Sequence, residues 1–115
     1  DLAQAGEPER AVEGAVAALG GLDVLVSNAG FADRTPMASL TDAAFAHSVD
    51  SIATALLRLA RAARAPLMAG SDPRLVAVSS FVAHVFRLEH PVFPASAAAK
   101  AGLEALVRAL AIEWA

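Results

Sequence analysis

Two residue types are missing from this 115-residue chain, and a third occurs once. There is no cysteine and no tyrosine, and Lys100 is the only lysine among nine basic residues. Without cysteine there are no disulfides and no thiolate metal sites. Without tyrosine there is no phenolic proton donor. The three histidines, His47, His84 and His90, show no metal-ligand spacing. No apolar run approaches the ~20 residues that span a bilayer. Arginines and acids interrupt the alanine-rich stretches, and no signal-peptide pattern opens the chain. A cytoplasmic location without membrane association is the default expectation. Nine basic and twelve acidic residues are mixed along the sequence, for a net charge of −3. No basic tract points to nucleic acid.

What is present is apolar. Hydrophobic residues make up 57% of the chain, against ~45–50% for ordinary soluble domains. One small domain is all this length holds, and the excess suggests a piece of a larger core or a subunit that covers itself with partners.

Glu7 to Leu19 reads as a helix with Val12, Ala15, Val16 and Leu19 as its apolar stripe, ended by Gly20-Gly21. Leu22 to Val26 is a short run of valine and leucine, the pattern of a strand buried on both faces of a parallel sheet. After a loop with Pro36, Thr41 caps a helix running to about Leu67. Its seam is Phe45, Val49, Ile52, Leu56, Leu59 and Ala63, with Arg58, Arg61 and Arg64 toward the other side. A second buried-type strand covers Leu75 to Val78. The loop from Phe81 to Phe93 carries His84, Arg87, Glu89 and His90. Pro94 suits the first turn of the last helix, which runs to the chain end.

Strands alternating with helices predict an α/β fold with a parallel sheet. Two strands alone leave both edges open, so the expectation is an internal piece of a doubly wound domain. In such sheets ligands sit beyond the carboxyl ends of the strands. Those ends here are Ser27-Asn28-Ala29-Gly30 and Ser79-Ser80. Gly30 either lets backbone approach a flat ligand or simply makes a turn.

The stretches "LDVLVSNAG", "LVAVSS" and "SAAAKAGLEALVRALAIEW" resemble, in order and spacing, the short-chain dehydrogenase/reductase family. The similarity covers essentially the whole chain. It implies a single, incomplete Rossmann-type domain over residues 1–115, with the family's glycine-rich dinucleotide motif lying before Asp1. It also implies NAD or NADP as cofactor and a small-molecule carbonyl or alcohol as substrate. By the same resemblance, Asn28, Ala29 and Gly30 brace the sheet and pass near the cofactor's ribose and nicotinamide. Asp1 matches an acidic residue near the adenine ring, and is also readable as a plain helix-preceding aspartate. Ser80 matches the serine that hydrogen-bonds the substrate oxygen, with Ser79 as the competing register. Lys100 matches the lysine that holds the ribose hydroxyls. The helices at 41–67 and 94–115 match the pair through which the family forms homo-oligomers.

Two positions depart from the family pattern. Ser96 stands where the general-acid tyrosine belongs, four residues before Lys100. An alkyl hydroxyl is a far weaker acid than a phenol of pKa ~10, and it is too short to reach the same point. Ser96 therefore reads either as a weak substitute or as an ordinary early-helix hydroxyl. His84 and His90 are the imidazoles in the long loop that could take over the proton transfer. Ile52 replaces an asparagine at which the family's long helix is kinked, and it reads here as part of the apolar seam. The functional expectations are an oxidoreductase with an unusual or weakened proton donor, then a noncatalytic cofactor-binding or scaffold subunit, and third a non-redox lyase on the same scaffold.

Overall fold

A computed structural model describes all residues from Asp1 to Ala115. Helix α1 spans Glu7–Leu19. Glu7 and Glu9 in its first turn complement the helix dipole. Gly20 ends it with φ of 79°, donating its N–H to the Val16 carbonyl. That left-handed cap suits glycine. Val12 is buried, but Leu19, the last residue of the expected stripe, is 75% exposed. The core-facing part of α1 ends a turn before the helix does.

Strand β1 is Val24–Ser27 and β2 is Arg74–Ala77, paired in parallel with Val24 opposite Arg74 and Ser27 opposite Ala77. The ladder begins two residues later than the apolar run suggests. Leu22 packs against the buried cluster of Val12, Leu59, Ala63 and Leu67 instead, and the Asp23 carbonyl takes the first cross-strand N–H, from Arg74. Beyond β2, the Val78 N–H still bonds the Ser27 carbonyl at 2.9 Å.

Between the strands runs a helical rod in three parts. Helix α2 covers Asp42–Val49, Asp50–Thr54 form a π-helical turn, and α3 covers Ala55–Met68. The Thr41 side chain caps α2 by accepting the Ala44 N–H at 3.1 Å. A π turn inserts one residue and rotates everything before it by about 100° relative to a straight helix. Phe45, expected on the seam, is consequently 41% exposed, while Ser48 is the buried residue of α2. The helix is thus distorted at Ile52 without an asparagine there. The Ile52 side chain also lies in the core as the sequence indicates, packed with Leu56, Ala99 and Leu103.

Helix α4 spans Pro94–Glu113. Leu25 faces the cluster of Val12, Leu59, Ala63 and Leu67, and Leu75 and Ala77 face the cluster of Ile52, Leu56, Ala99 and Leu103. Helices α1, α3 and α4 therefore cover one face of the sheet. The alternate residues on the other face are open, with Val24 50% and Val26 57% exposed. Burial on both faces, expected from the composition of the strands, does not hold for this chain: the architecture is one helix layer on a two-stranded parallel sheet.

Two expectations follow from this packing. The isolated 115-residue chain should self-associate, because an apolar sheet face and two strand edges are uncovered. Sedimentation showing a stable monomer with a sharp thermal transition would contradict it. Separately, a Cβ on Gly70 would lie 2.7 Å from Asp23 Oδ1 and 3.1 Å from the Leu22 carbonyl oxygen. Gly70→Ala should therefore destabilise the protein by roughly 1–3 kcal/mol. Gly21→Ala, with nothing within 4 Å of the added carbon, should cost little. Denaturant titration of the two variants makes the comparison.

Candidate functional site

Parallel pairing brings the carboxyl ends of β1 and β2 to one edge, and α4 begins beside them. The space between is a cleft of about 410 Å³. Asn28 and Gly30 line it from the first strand end, Ser80 from the second, and Ser96 and Lys100 from α4. Residues more than seventy positions apart thus meet at the place the alternation of strands and helices predicts. Ala29 does not line the cleft. Asp1 lies elsewhere, in a second groove of about 340 Å³ with Leu2, Glu7, Arg10 and Ala11. Its Oδ1 accepts the Ala3 N–H at 3.0 Å, which closes a local turn.

Lys100 Nζ donates to the Val78 carbonyl oxygen at 2.6 Å. An ammonium has three N–H groups, so two remain for the cleft. A Cβ on Gly30 would stand 3.7 Å from this nitrogen and 3.5 Å from Ile52 Cγ1. The absence of a side chain at Gly30 therefore leaves the space beside the ammonium free. Partial burial lowers the Lys100 pKa from the ordinary lysine value, because removing water disfavours the charged form.

Ser96 is 4% exposed, and its hydroxyl is engaged. Its Oγ accepts the Asp33 backbone N–H at 2.8 Å. The serine thus clasps the loop after β1 to the first turn of α4. Asp33 extends the clasp: Oδ1 accepts the Thr35 N–H at 2.8 Å and Oδ2 accepts from the Ser48 hydroxyl at 3.5 Å. These bonds, chiefly those from Thr35, hold the Asp33 carboxyl below its usual pKa.

The two serines at the end of β2 diverge, as neighbours on an extended chain must. Ser80 lines the cleft, and its Oγ also accepts the Val82 N–H at 3.4 Å. Ser79 donates to Glu104 Oε1 on α4. His84 Nε2 meets the same carboxylate oxygen at 2.7 Å, and Arg108 reaches Oε2 at 3.1 Å. These contacts, led by Ser79, depress the Glu104 pKa. His84 is accordingly held away from the cleft, and neither it nor His90 lines the cavity.

The cleft also contains residues that the sequence reading passed over. Arg34 lies on its wall, with its guanidinium carbon 6.0 Å from the centre of the Phe93 ring. Phe31, Phe81 and Val82 supply apolar lining. The available signal was position: Arg34 follows the Asn-Ala-Gly turn by four residues, on the loop leaving a strand's carboxyl end. The use of Glu104 by Ser79 and His84 had no such signal, because nothing in the spacing pairs them.

The sequence model of the enoyl-(acyl carrier protein) reductase family matches residues 1–115. An uncharacterized oxidoreductase of Schizosaccharomyces pombe is 35% identical over 99% of this chain and 43% of its own length. A 5-hydroxy-7a-methyl-1-oxo-hexahydro-1H-indene-carboxyl-CoA reductase of Mycobacterium tuberculosis is 33% identical over 98% of this chain and 42% of its own length. Among solved structures, an NADPH-bound short-chain oxidoreductase from Pseudomonas aeruginosa PAO1, described as containing an atypical catalytic center, superposes with a TM-score of 0.86. It is 29% identical, over 99% of this chain and 43% of that one. The chain spans less than half the length of each of these relatives. No helix is long and apolar enough to cross a membrane.

The clasp at Asp33 gives the site a pH dependence. Its folded pKa is below the unfolded value of 3.8, so the carboxylate stabilises the fold above that pH. The contribution disappears as pH falls from there through the folded pKa. Asp33→Asn retains an acceptor for Thr35 but does not titrate. The variant should lose less stability than the parent as pH falls from about 4 toward 2, as measured by thermal midpoints across that range. Parallel acid limbs for the two proteins would show that Asp33 is not coupled to folding.

Proposed function

The chain belongs to the short-chain dehydrogenase/reductase family, and from that premise we propose that the complete protein is an NAD(P)-dependent oxidoreductase of small carbonyl or alcohol compounds. The observation that carries this reading is the placement of Lys100. Its ammonium is fixed by the Val78 carbonyl, borders the open space at Gly30, and shares a cleft with Asn28 and Ser80.

That donor set fits a nicotinamide ribose. The two N–H groups Lys100 has left match hydroxyl acceptors, and Asn28 offers an amide that both donates and accepts. The cofactor, when bound, supplies or receives hydride. Ser80 would hold the substrate oxygen, and the apolar lining would exclude water. Asp1 would lie toward the adenine end, outside the cleft described above. Binding of NADPH or NADP by solved relatives supports the cofactor assignment.

Proton delivery is the weak step. Ser96 is a poor acid, and its oxygen already accepts from Asp33. Burial lowers the Lys100 pKa, and no imidazole or carboxylate lines the cleft beside it. The resulting enzyme is a slow one. The same two facts, a committed Ser96 hydroxyl and a cleft without imidazole, support the second reading, a cofactor-binding subunit without turnover.

The complete protein is proposed to be a homo-oligomer. A groove of about 430 Å³ between α3 and α4, bordered by Leu57, Ala60, Ala109 and Trp114, offers these helices a surface for a second copy.

The test is NAD(P)H binding and oxidation by the complete protein over a carbonyl panel. Lys100→Ala should weaken cofactor binding. Ser96→Tyr should raise turnover toward the ~10²–10⁴-fold typical of a general acid. It should also cost about 1 kcal/mol through loss of the Asp33 bond, and a melting curve confirms that the variant is folded. His84→Ala should leave the rate unchanged. Binding of neither cofactor would remove the oxidoreductase reading, and tight binding without turnover in the parent would favour the second one.

A further inference from the structure

The cleft carries two cations and no acid. Arg34 and Lys100 line it, and no aspartate or glutamate does. The carboxylates that might neutralise them are committed elsewhere. Asp33, next to Arg34 in sequence, turns both oxygens to Thr35 and Ser48. Glu104 is shared by Ser79, His84 and Arg108. Arg34 forms no ion pair within the chain. Its guanidinium lies toward the Phe93 ring instead, at 6.0 Å, a contact that orients the group without satisfying its five N–H donors.

A solvated surface arginine would call for no explanation. Arg34, although exposed, differs because it lines the same cavity as Lys100, with Phe31, Phe81 and Phe93 as apolar neighbours on that wall. Charges facing a low-dielectric wall are less screened than free surface charges. A planar guanidinium matches a carboxylate with two parallel hydrogen bonds.

We infer that the substrate taken by this cleft carries a carboxylate on an apolar body, and that Arg34 binds the carboxylate. The inference rests on the oxidoreductase reading for the word substrate, and on the cleft alone for the anion. Lys100 and Ser80 remain at the reacting end, and Arg34 determines which molecules are retained there.

The experiment compares hexanoate with hexanamide by calorimetric titration of the complete protein, with NADPH binding measured separately. The pair has the same apolar body and differs in charge. Hexanoate should bind at least ten-fold tighter than hexanamide, and the preference should shrink as salt is raised. Arg34→Gln should abolish the preference, and Arg34→Lys should retain part of it. Because Arg34 is exposed, neither change should disturb folding, which a thermal melt verifies. Equal binding of the two probes by the parent, binding of neither, or a preference untouched by Arg34→Gln would overturn the inference. NADPH binding intact in that case leaves the oxidoreductase reading standing. Loss of NADPH binding with the hexanoate preference preserved would instead remove that reading and leave the anion site.

Discussion

Parallel pairing of two four-residue strands is the constraint on which everything else depends. It sets both carboxyl ends on the same edge, with Val24 against Arg74 and Ser27 against Ala77. The Asn28–Gly30 turn and the Val78–Ser80 segment then leave the sheet side by side. A parallel connection needs a long crossover, and here the α2–π–α3 rod provides it. The same rod brings Ile52 under Gly30 and Leu56 against α4. The cleft is therefore a consequence of strand direction, and its floor is the core itself.

Across that edge, α4 is attached by two contacts of different character. The Lys100 ammonium ties the helix to the end of β2 through the Val78 carbonyl. The Ser96 hydroxyl ties it to the loop after β1 through the Asp33 N–H. Loss of the hydrogen bond to this part-buried backbone donor costs about 1 kcal/mol, so the serine has a structural role that a longer side chain at this position could not fill in the same way. Ser96 thus acts as a clasp that holds the Asp33–Thr35 loop, and Arg34 with it, against the cavity.

The polar groups near β2 separate into two sets because an extended chain alternates its side chains. Ser80 enters the cleft, while Ser79 turns to Glu104 and joins His84 and Arg108. That second set anchors the loop following β2 and holds His84 away from the cleft. The cavity is lined by two hydroxyls, an amide and two cations among apolar residues, with no carboxylate and no imidazole.

The sequence by itself determined the class of fold, the order of the elements and most of the polar groups of the cleft. Those follow from local signals: the apolar runs at 22–26 and 75–78, the glycine stop at Gly20, the Thr41 cap, and Lys100 at its motif position. Strand ends beyond which ligands bind are likewise legible, so Asn28, Gly30, Ser80, Ser96 and Lys100 could be grouped before their meeting was seen. Tertiary structure decided the rest. It rotated Phe45 out of the seam through the π turn, left one sheet face of valines uncovered, and started β1 after Leu22-Asp23. It also set Asp1 apart from the cleft, engaged Ser96 with Asp33, and diverted His84 to Glu104. The physical reason is common to these cases. Periodicity and capping act between residues a few positions apart, whereas the partner of a hydroxyl, an imidazole or a guanidinium is chosen by whichever group the packed chain brings within about 3 Å. For Ser96 that group is sixty-three residues away, and no pattern in the sequence connects the two.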